Sequence, residues 1–423
     1  MSAKRFLRTS LLSTGVTIGG FLAATVIIDP YDYWGTPRRE GINLYKPKVH
    51  SHLKIAKTGQ YLRQKPRTVL AGNSRVDVGL DPQDAAWPAA FQPVYNFGLP
   101  GEGMASVIET LTAAMARHRP ERVYLGVDFF DFLVPEDQWS GFDGAALPPR
   151  QARLPARLKG LAGTTVSLDA LVDSVLTLVE QGEVHPADTR ANGFTPLENY
   201  HGHVAREGHA ALFEQRTRET VERLLTRPRR MAWPGPGRNP AWARLEQFLA
   251  FARAQGVTVV LFTYPYHAEL LETLRQTGRM EDLKQWHVRL AALAAREGVP
   301  LWSFLGYNRQ TMEAVPRPGD YTTRMRWYWE AGHFKPALGG LMVARMTGAS
   351  TLEDFGRLLT PGTVGAALAD LEADGEAYRA RPDAASARVA AYVRALGRVP
   401  RAGGEDVQQS AELPAAMAAS NKL

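Results

Sequence analysis

The sequence predicts an α/β fold, a three-layer sandwich in which helices cover both faces of a parallel sheet, with a helical insertion and an N-terminal transmembrane helix. Three observations carry this. Short apolar runs ending in Gly, Asn or Asp alternate with stretches of helical period, the pattern of a parallel sheet. The alternation breaks between about 131 and 240. An uncharged, mostly apolar run fills Leu11 to Ile28.

Within the N-terminal run, Lys4, Arg5 and Arg8 precede the apolar residues, and Asp29-Pro30 ends them. About 20 such residues span a bilayer as a helix, and the basic flank stays on the cytoplasmic side. An inner-membrane protein with one pass and its C-terminal bulk outside the cytoplasm is therefore expected. A cleaved signal peptide and a buried core helix are the alternatives. No clean small-x-small cleavage site precedes Asp29, the apolar run is long for a signal core, and no second run of this length follows.

After this anchor (1–28), residues 29–66 are rich in Tyr, Trp, Pro and Lys and read as a membrane-proximal connector packed on the domain. The main domain is expected over 67–348. Its strands read as Thr68–Ala71, Val94–Phe97, Arg122–Val127, Val257–Phe262 and Pro300–Phe304. Its helices read as Met104–Arg117, Ala241–Ala254, Asp282–Glu297 and about Pro336–Met346. The insertion, 131–240, holds helices near 166–181 and 204–226. The remainder, 349–423, reads as a helical tail whose end, after Arg401, is polar and disordered.

Composition removes several functions. The chain has 423 residues, 45% hydrophobic and 22% charged, enough for a sizeable core. With no cysteine, disulfides and thiolate chemistry are out. The net charge of +7 is scattered, and runs such as Arg38-Arg39 and Arg229-Arg230 are short. No basic stripe with interleaved aromatics appears, so nucleic acid is not an expected partner. There is no G-x-x-x-x-G-K-[ST] loop. Gly101-Glu-Gly103 is followed by Ser106 at the third glycine position, which breaks the dinucleotide fingerprint. Val76 breaks a G-x-S-x-G elbow. His201, His203 and His209 with Glu198, and His50 with His52, are the metal-ligand candidates, although chance pairs are expected among ten histidines. Trp327-Tyr328-Trp329 reads either as a wall of a sugar cleft or as core.

Ligands of open parallel sheets bind beyond the carboxyl ends of the strands. Gly72-Asn73-Ser74 follows the first strand, Asn96-Phe97-Gly98 the second, and Gly126-Val127-Asp128 the third; Glu330-Ala-Gly-His333 precedes the last helix. This order resembles the SGNH (GDSL-like) hydrolase superfamily, over roughly 66–130 and 240–348. Its pattern has a serine after the first strand, a glycine after the second, G-x-N after the third and D-x-x-H near the end. The resemblance implies a flavodoxin-like sheet with Ser74 as nucleophile, His333 as base and Glu330 orienting the imidazole. It also implies an oxyanion site from the N–H groups of Ser74 and Gly98, and no cofactor. Asp128 stands where the family has Asn. A carboxylate cannot donate to an oxyanion, so either Asp128 is protonated, or Asn73 or Asn96 donates instead, or turnover is lost. Glu330 replaces the usual Asp and lengthens the reach to His333. Arg75 reads as a binder of an anionic group or as a surface ion pair.

The anchored layout is most similar to envelope proteins that acylate polysaccharides. It implies an acyltransferase or acylesterase acting on a cell-envelope polysaccharide, with a membrane-bound O-acyltransferase as partner. A non-catalytic envelope protein that binds glycan or an assembly partner in the same cleft is the alternative, as is a plain esterase of a small soluble ester.

Overall fold

The computed structural model describes residues 3–135, 167–182, 189–197, 200–226, 229–231 and 239–397, apart from positions 351, 353, 382 and 384. The polar end after Arg401, and Glu198, lie outside them.

The sheet has six strands in the order β10-β7-β6-β3-β1-β2. β1 (Thr68–Gly72), β2 (Val94–Gly98), β3 (Arg122–Val127), β6 (Thr258–Thr263) and β7 (Leu301–Ser303) run parallel. β10 (Arg357–Leu359) is antiparallel at one edge. β1 and β2 are buried at every position, as expected of strands covered on both faces.

β1 leads outward to β2, whereas β3, β6 and β7 follow on the other side of β1. Right-handed crossovers therefore put α4 (Met104–Met115), α8 (Pro240–Ala254) and α10 (Met280–Glu297) on one face. The short α3 (Ser74–Gly79) lies on the other, packed against α11 (Pro336–Thr347). The strand order reverses between β1 and β3, so a crevice opens beyond their carboxyl ends.

The insertion leaves after α5 (Phe129–Phe132). A two-stranded ribbon of β4 (Val134–Pro135) and β5 (Arg229–Arg230) closes its base. It carries α6 (Leu168–Val179) and α7 (Tyr200–Thr226). α7 is two helices joined at Gly208, whose φ of 77° and contact with the Asp320 carbonyl leave no room for a side chain.

The tail differs from the helix expected of it. It opens with β10, which extends the main sheet, and continues as α12 (Val364–Arg379) and α13 (Ser386–Gly397). These pack on α10 and on α7 with α9 (Ala268–Gln276), respectively. The tail is therefore part of the domain's packing.

α1 (Ala3–Ile28) is the one described helix long and apolar enough to cross a membrane, with a mean hydropathy of 2.0 in its most apolar window. At 1.5 Å per residue it reaches about 39 Å. It ends in a built junction. The Asp29 carboxylate accepts from the N–H groups of Tyr33, Trp34, Gly35 and Thr36 and pairs with the buried Lys46 ammonium (2.9 Å). The connector also holds α2 (Leu53–Gln64), which packs beside α4.

Candidate functional site

Four elements meet at the crevice. β1 ends in Gly72-Asn73, and the Asn73 side chain caps α3 by accepting from the Arg75 N–H (3.1 Å). Because Asn73 serves as the cap, the Ser74 hydroxyl on the first helical residue is left for another partner. That partner is His333, whose Nε2 lies 2.8 Å from Ser74 Oγ.

A hairpin missing from the sequence reading holds the imidazole. β8 (Tyr328–Glu330) and β9 (His333–Phe334) pair antiparallel around Ala331-Gly332, and Glu330 stands opposite His333 in the register. Cross-strand partners project to one face, so the Glu330 carboxylate meets His333 Nδ1. Its other oxygen accepts from the Gly332 N–H (2.6 Å) and faces Arg216 Nε on α7 at 3.4 Å.

The electrostatics match this geometry. Burial pushes the Glu330 carboxyl up, but Arg216, His333 and the Gly332 N–H outweigh it and hold it at about 2. Burial lowers His333 below its ordinary value; Glu330 opposes this, and Arg216 and Arg75 add to it. The ring is thus neutral near pH 7, with Nδ1–H given to Glu330 and the Nε2 lone pair directed at Ser74.

Asp128, beyond β3, caps α5 through the Phe130 N–H (3.2 Å). Its carboxyl also accepts from the Asn73 amide (2.6 Å), the Arg75 guanidinium and the Tyr266 hydroxyl. Every partner donates, so Asp128 acts as an acceptor and offers no hydrogen to an oxyanion. Arg75 spans from Asp128 to the Gly332 carbonyl (2.7 Å), tying the third strand to the Glu330–His333 hairpin. Its guanidinium pairs with a carboxylate of the protein itself, in a largely buried pair.

Two expected oxyanion residues are otherwise engaged. The Gly98 N–H donates to Asn96 Oδ1 (2.8 Å), and a side chain at Gly98 would strike the backbone of Asp77. The Asn96 amide donates to the carbonyls of Val76 (2.7 Å) and Leu80 (2.8 Å). Both residues lock α3 onto β2. Asn73 Nδ2 carries a second hydrogen besides the one it gives to Asp128, and the Ser74 N–H is the first amide of α3.

Sequence reading missed Arg216, Tyr266 and Asp131. Arg216 interrupts an inward stripe of His209, Leu212, Phe213, Thr217 and Val221 on α7; a charge within an apolar stripe was the available signal. Asp131 is pushed well above the usual carboxylate range by burial and by Asp128, against Arg223 and Arg75.

The other candidates go elsewhere. His209 is buried and bonded to the backbone of Trp329 and Met325. His201 lies edge-on to Trp329, and His203 faces Glu207. His50 precedes His52, which packs on the Tyr31 ring. Tyr328 and Trp329 are buried, and Trp327 is partly buried against the core.

No family model matches the chain, and no curated protein or solved structure matches it either.

Proposed function

We propose that this chain is a membrane-anchored serine acyltransferase or acylesterase of SGNH type, acting on a cell-envelope polysaccharide. The observation that carries the proposal is Ser74 Oγ at 2.8 Å from His333 Nε2, with Nδ1 backed by the buried Glu330. Strand order adds support: the parallel strands alone fall in the order 2-1-3-4-5, that of flavodoxin-like sheets. The basic residues Lys4, Arg5 and Arg8 at the start of α1 favour a domain outside the cytoplasm.

In this reading the Ser74 proton passes to His333 Nε2 as Oγ bonds to the acyl carbonyl. The Ser74 N–H and the second Asn73 amide hydrogen receive the oxyanion, with Asp128 fixing that amide. Collapse breaks the acyl–donor bond, and the leaving group takes the proton from His333. A sugar hydroxyl or water then gives its proton to His333 and attacks the acyl-enzyme; the Ser74 Oγ–acyl bond breaks, and Ser74 takes the proton back from His333. No cofactor enters. Transfer needs an acyl donor carried across the membrane, which is the role of a membrane-bound O-acyltransferase partner; this step rests on family analogy.

A second reading, glycan binding without turnover, is favoured by the engagement of the Gly98 N–H with Asn96. Hydrolysis of p-nitrophenyl acetate by the full-length protein in detergent separates the two. Catalysis predicts turnover, labelling of Ser74 by a fluorophosphonate, and loss of both in S74A and H333A. Wild-type turnover no faster than S74A, without labelling, would leave the binding reading. Acetyl content of envelope polysaccharide with and without the gene then separates glycan acylation from hydrolysis of a small ester.

A further inference from the structure

α6 is built inside out for a helix in water. Its inward face carries the small residues Ala170, Ser174 and Thr177, all buried. The Ser174 and Thr177 hydroxyls are returned to helix carbonyls (2.6 and 2.7 Å). Its outward face carries the large apolar ones: Leu168 and Val179 are each 74% exposed, Val175 53% and Val172 49%. Among the exposed positions of the helix only Asp169, in the first turn, is charged. A surface helix does the reverse, whereas small residues at the contact and large apolar residues outward is how helices pack in lipid.

The helix is also fixed in place. It packs against α1 and against the connector turn at Pro47–His52. Tyr31, just past the end of α1, donates to Asp173 (2.7 Å). Lys48 pairs with Glu180 (3.0 Å), and Gln181 exchanges hydrogen bonds with the backbone of Tyr45. The apolar face of α6 is thereby held beside α1, whose own Leu11, Val16 and Phe21 are exposed. Twelve residues rise about 18 Å, short of the roughly 30 Å hydrocarbon core, so α6 cannot cross.

We propose that α6 is embedded in the same bilayer as α1, with its outward face in the acyl chains of the leaflet nearest the domain. The occupant is lipid, because whatever covers α6 must lie against the end of α1 where it enters the domain. Two inserted elements joined through a hydrogen-bonded connector would hold the domain in one orientation on the membrane and fix the height of the Ser74 crevice. The inference rests on α1 crossing the membrane and is independent of acyl chemistry.

The chain has no cysteine, so single-cysteine variants carry one label each. V172C and V175C on α6, V16C on α1 and D374C on the exposed side of α12 are made in the full-length protein. Each is labelled with an environment-sensitive fluorophore and reconstituted into phosphatidylcholine vesicles containing some phosphatidylglycerol. Labels at 172 and 175 should be quenched by doxyl-labelled lipid to an extent comparable with position 16 and be protected from aqueous iodide; position 374 should behave oppositely. Labels at 172 and 175 open to iodide would overturn the proposal. So would labels shielded from both quenchers, which would mean a protein surface covers α6. A label at position 16 open to iodide would remove the membrane reading of α1, and this inference with it, while leaving the esterase assay unaffected.

Discussion

Arg216 Nε faces Glu330 Oε2 at 3.4 Å, so a residue of the insertion supports the pair formed by the β8–β9 hairpin. The guanidinium holds the carboxylate down and also keeps His333 from taking up a proton. In R216Q both groups shift upward. A base that protonates at higher pH loses activity earlier on acidification, so the acid limb of the kcat/KM profile should move to higher pH. A purely structural role would lower the whole profile without moving that limb.

Glu330 receives the Nδ1 hydrogen of His333 and so sets its tautomer. E330Q keeps the size and removes the charge. Its amide can donate to Nδ1 and turn the proton toward Ser74, the wrong arrangement for a base. Ester turnover should fall by about 10³- to 10⁴-fold with little change in KM. A loss under tenfold in steady-state kinetics would mean that Glu330 only positions the hairpin.

Asp128 and Asn73 share a hydrogen bond but divide mainly into stability and chemistry. D128N takes from Arg75 its carboxylate and should destabilise the domain by about 3 kcal/mol, at the low end for a broken buried pair. N73A removes the α3 cap, worth about 1 kcal/mol of stability, and the proposed oxyanion donor, and should cost about 10²- to 10³-fold in kcat. Thermal unfolding and ester kinetics on the same samples test both. Equal kinetic losses with no change in unfolding for D128N would contradict the division.

The core strands were legible because they are buried on both faces, so Val69–Ala71, Val123–Val127 and Val259–Phe262 read as unbroken apolar runs ended by polar or small residues. Ser74, Asp128, Glu330 and His333 stood out for the same reason, at strand ends or before a helix. What failed to show lacks a period. β8 and β9 are short, aromatic and joined by Ala331-Gly332, with no alternation to count. β10 is three residues long and mostly exposed. α2 was obscured because Lys57 and Gln60 stand on its buried face, paired with Asp77 and Asp32. The hydrogen bonds that occupy Gly98 and Asn96 depend on the approach of α3 to β2, which no local pattern encodes.

The connector should respond to one substitution. Lys46 is fully buried between Asp29 and Asp32 (2.9 and 3.2 Å). K46M leaves two carboxylates without that cation and should cost about 3 kcal/mol, seen as a lower unfolding temperature and as earlier proteolysis near residues 29–46. Ester hydrolysis should be unchanged at low temperature, because the crevice is built from other elements.

Stability should fall on mild acidification through three buried histidines. Burial holds the rings of His209, His267 and His287 down at about 4 from an ordinary 6.5. The hydrogen bonds give the reason for two of them. His209 accepts from the Met325 N–H and donates to the Trp329 carbonyl; His267 accepts from the Glu269 N–H and donates to the Glu313 carbonyl. A second proton on either ring would break an accepted bond. Above pH 6.5 folded and unfolded chains both keep the rings neutral and stability is full. Between 6.5 and 4 the unfolded chain binds protons that the folded chain refuses, so stability declines; below 4 the contribution is gone. His267 and His287 each contribute on the order of 3 kcal/mol over that window, and His209 less. The unfolding temperature should therefore drop steeply from pH 6.5 to 4, and H287Q, which removes one titrating ring, should flatten the slope. A temperature that holds steady across this range would show that the rings are already protonated in the folded state.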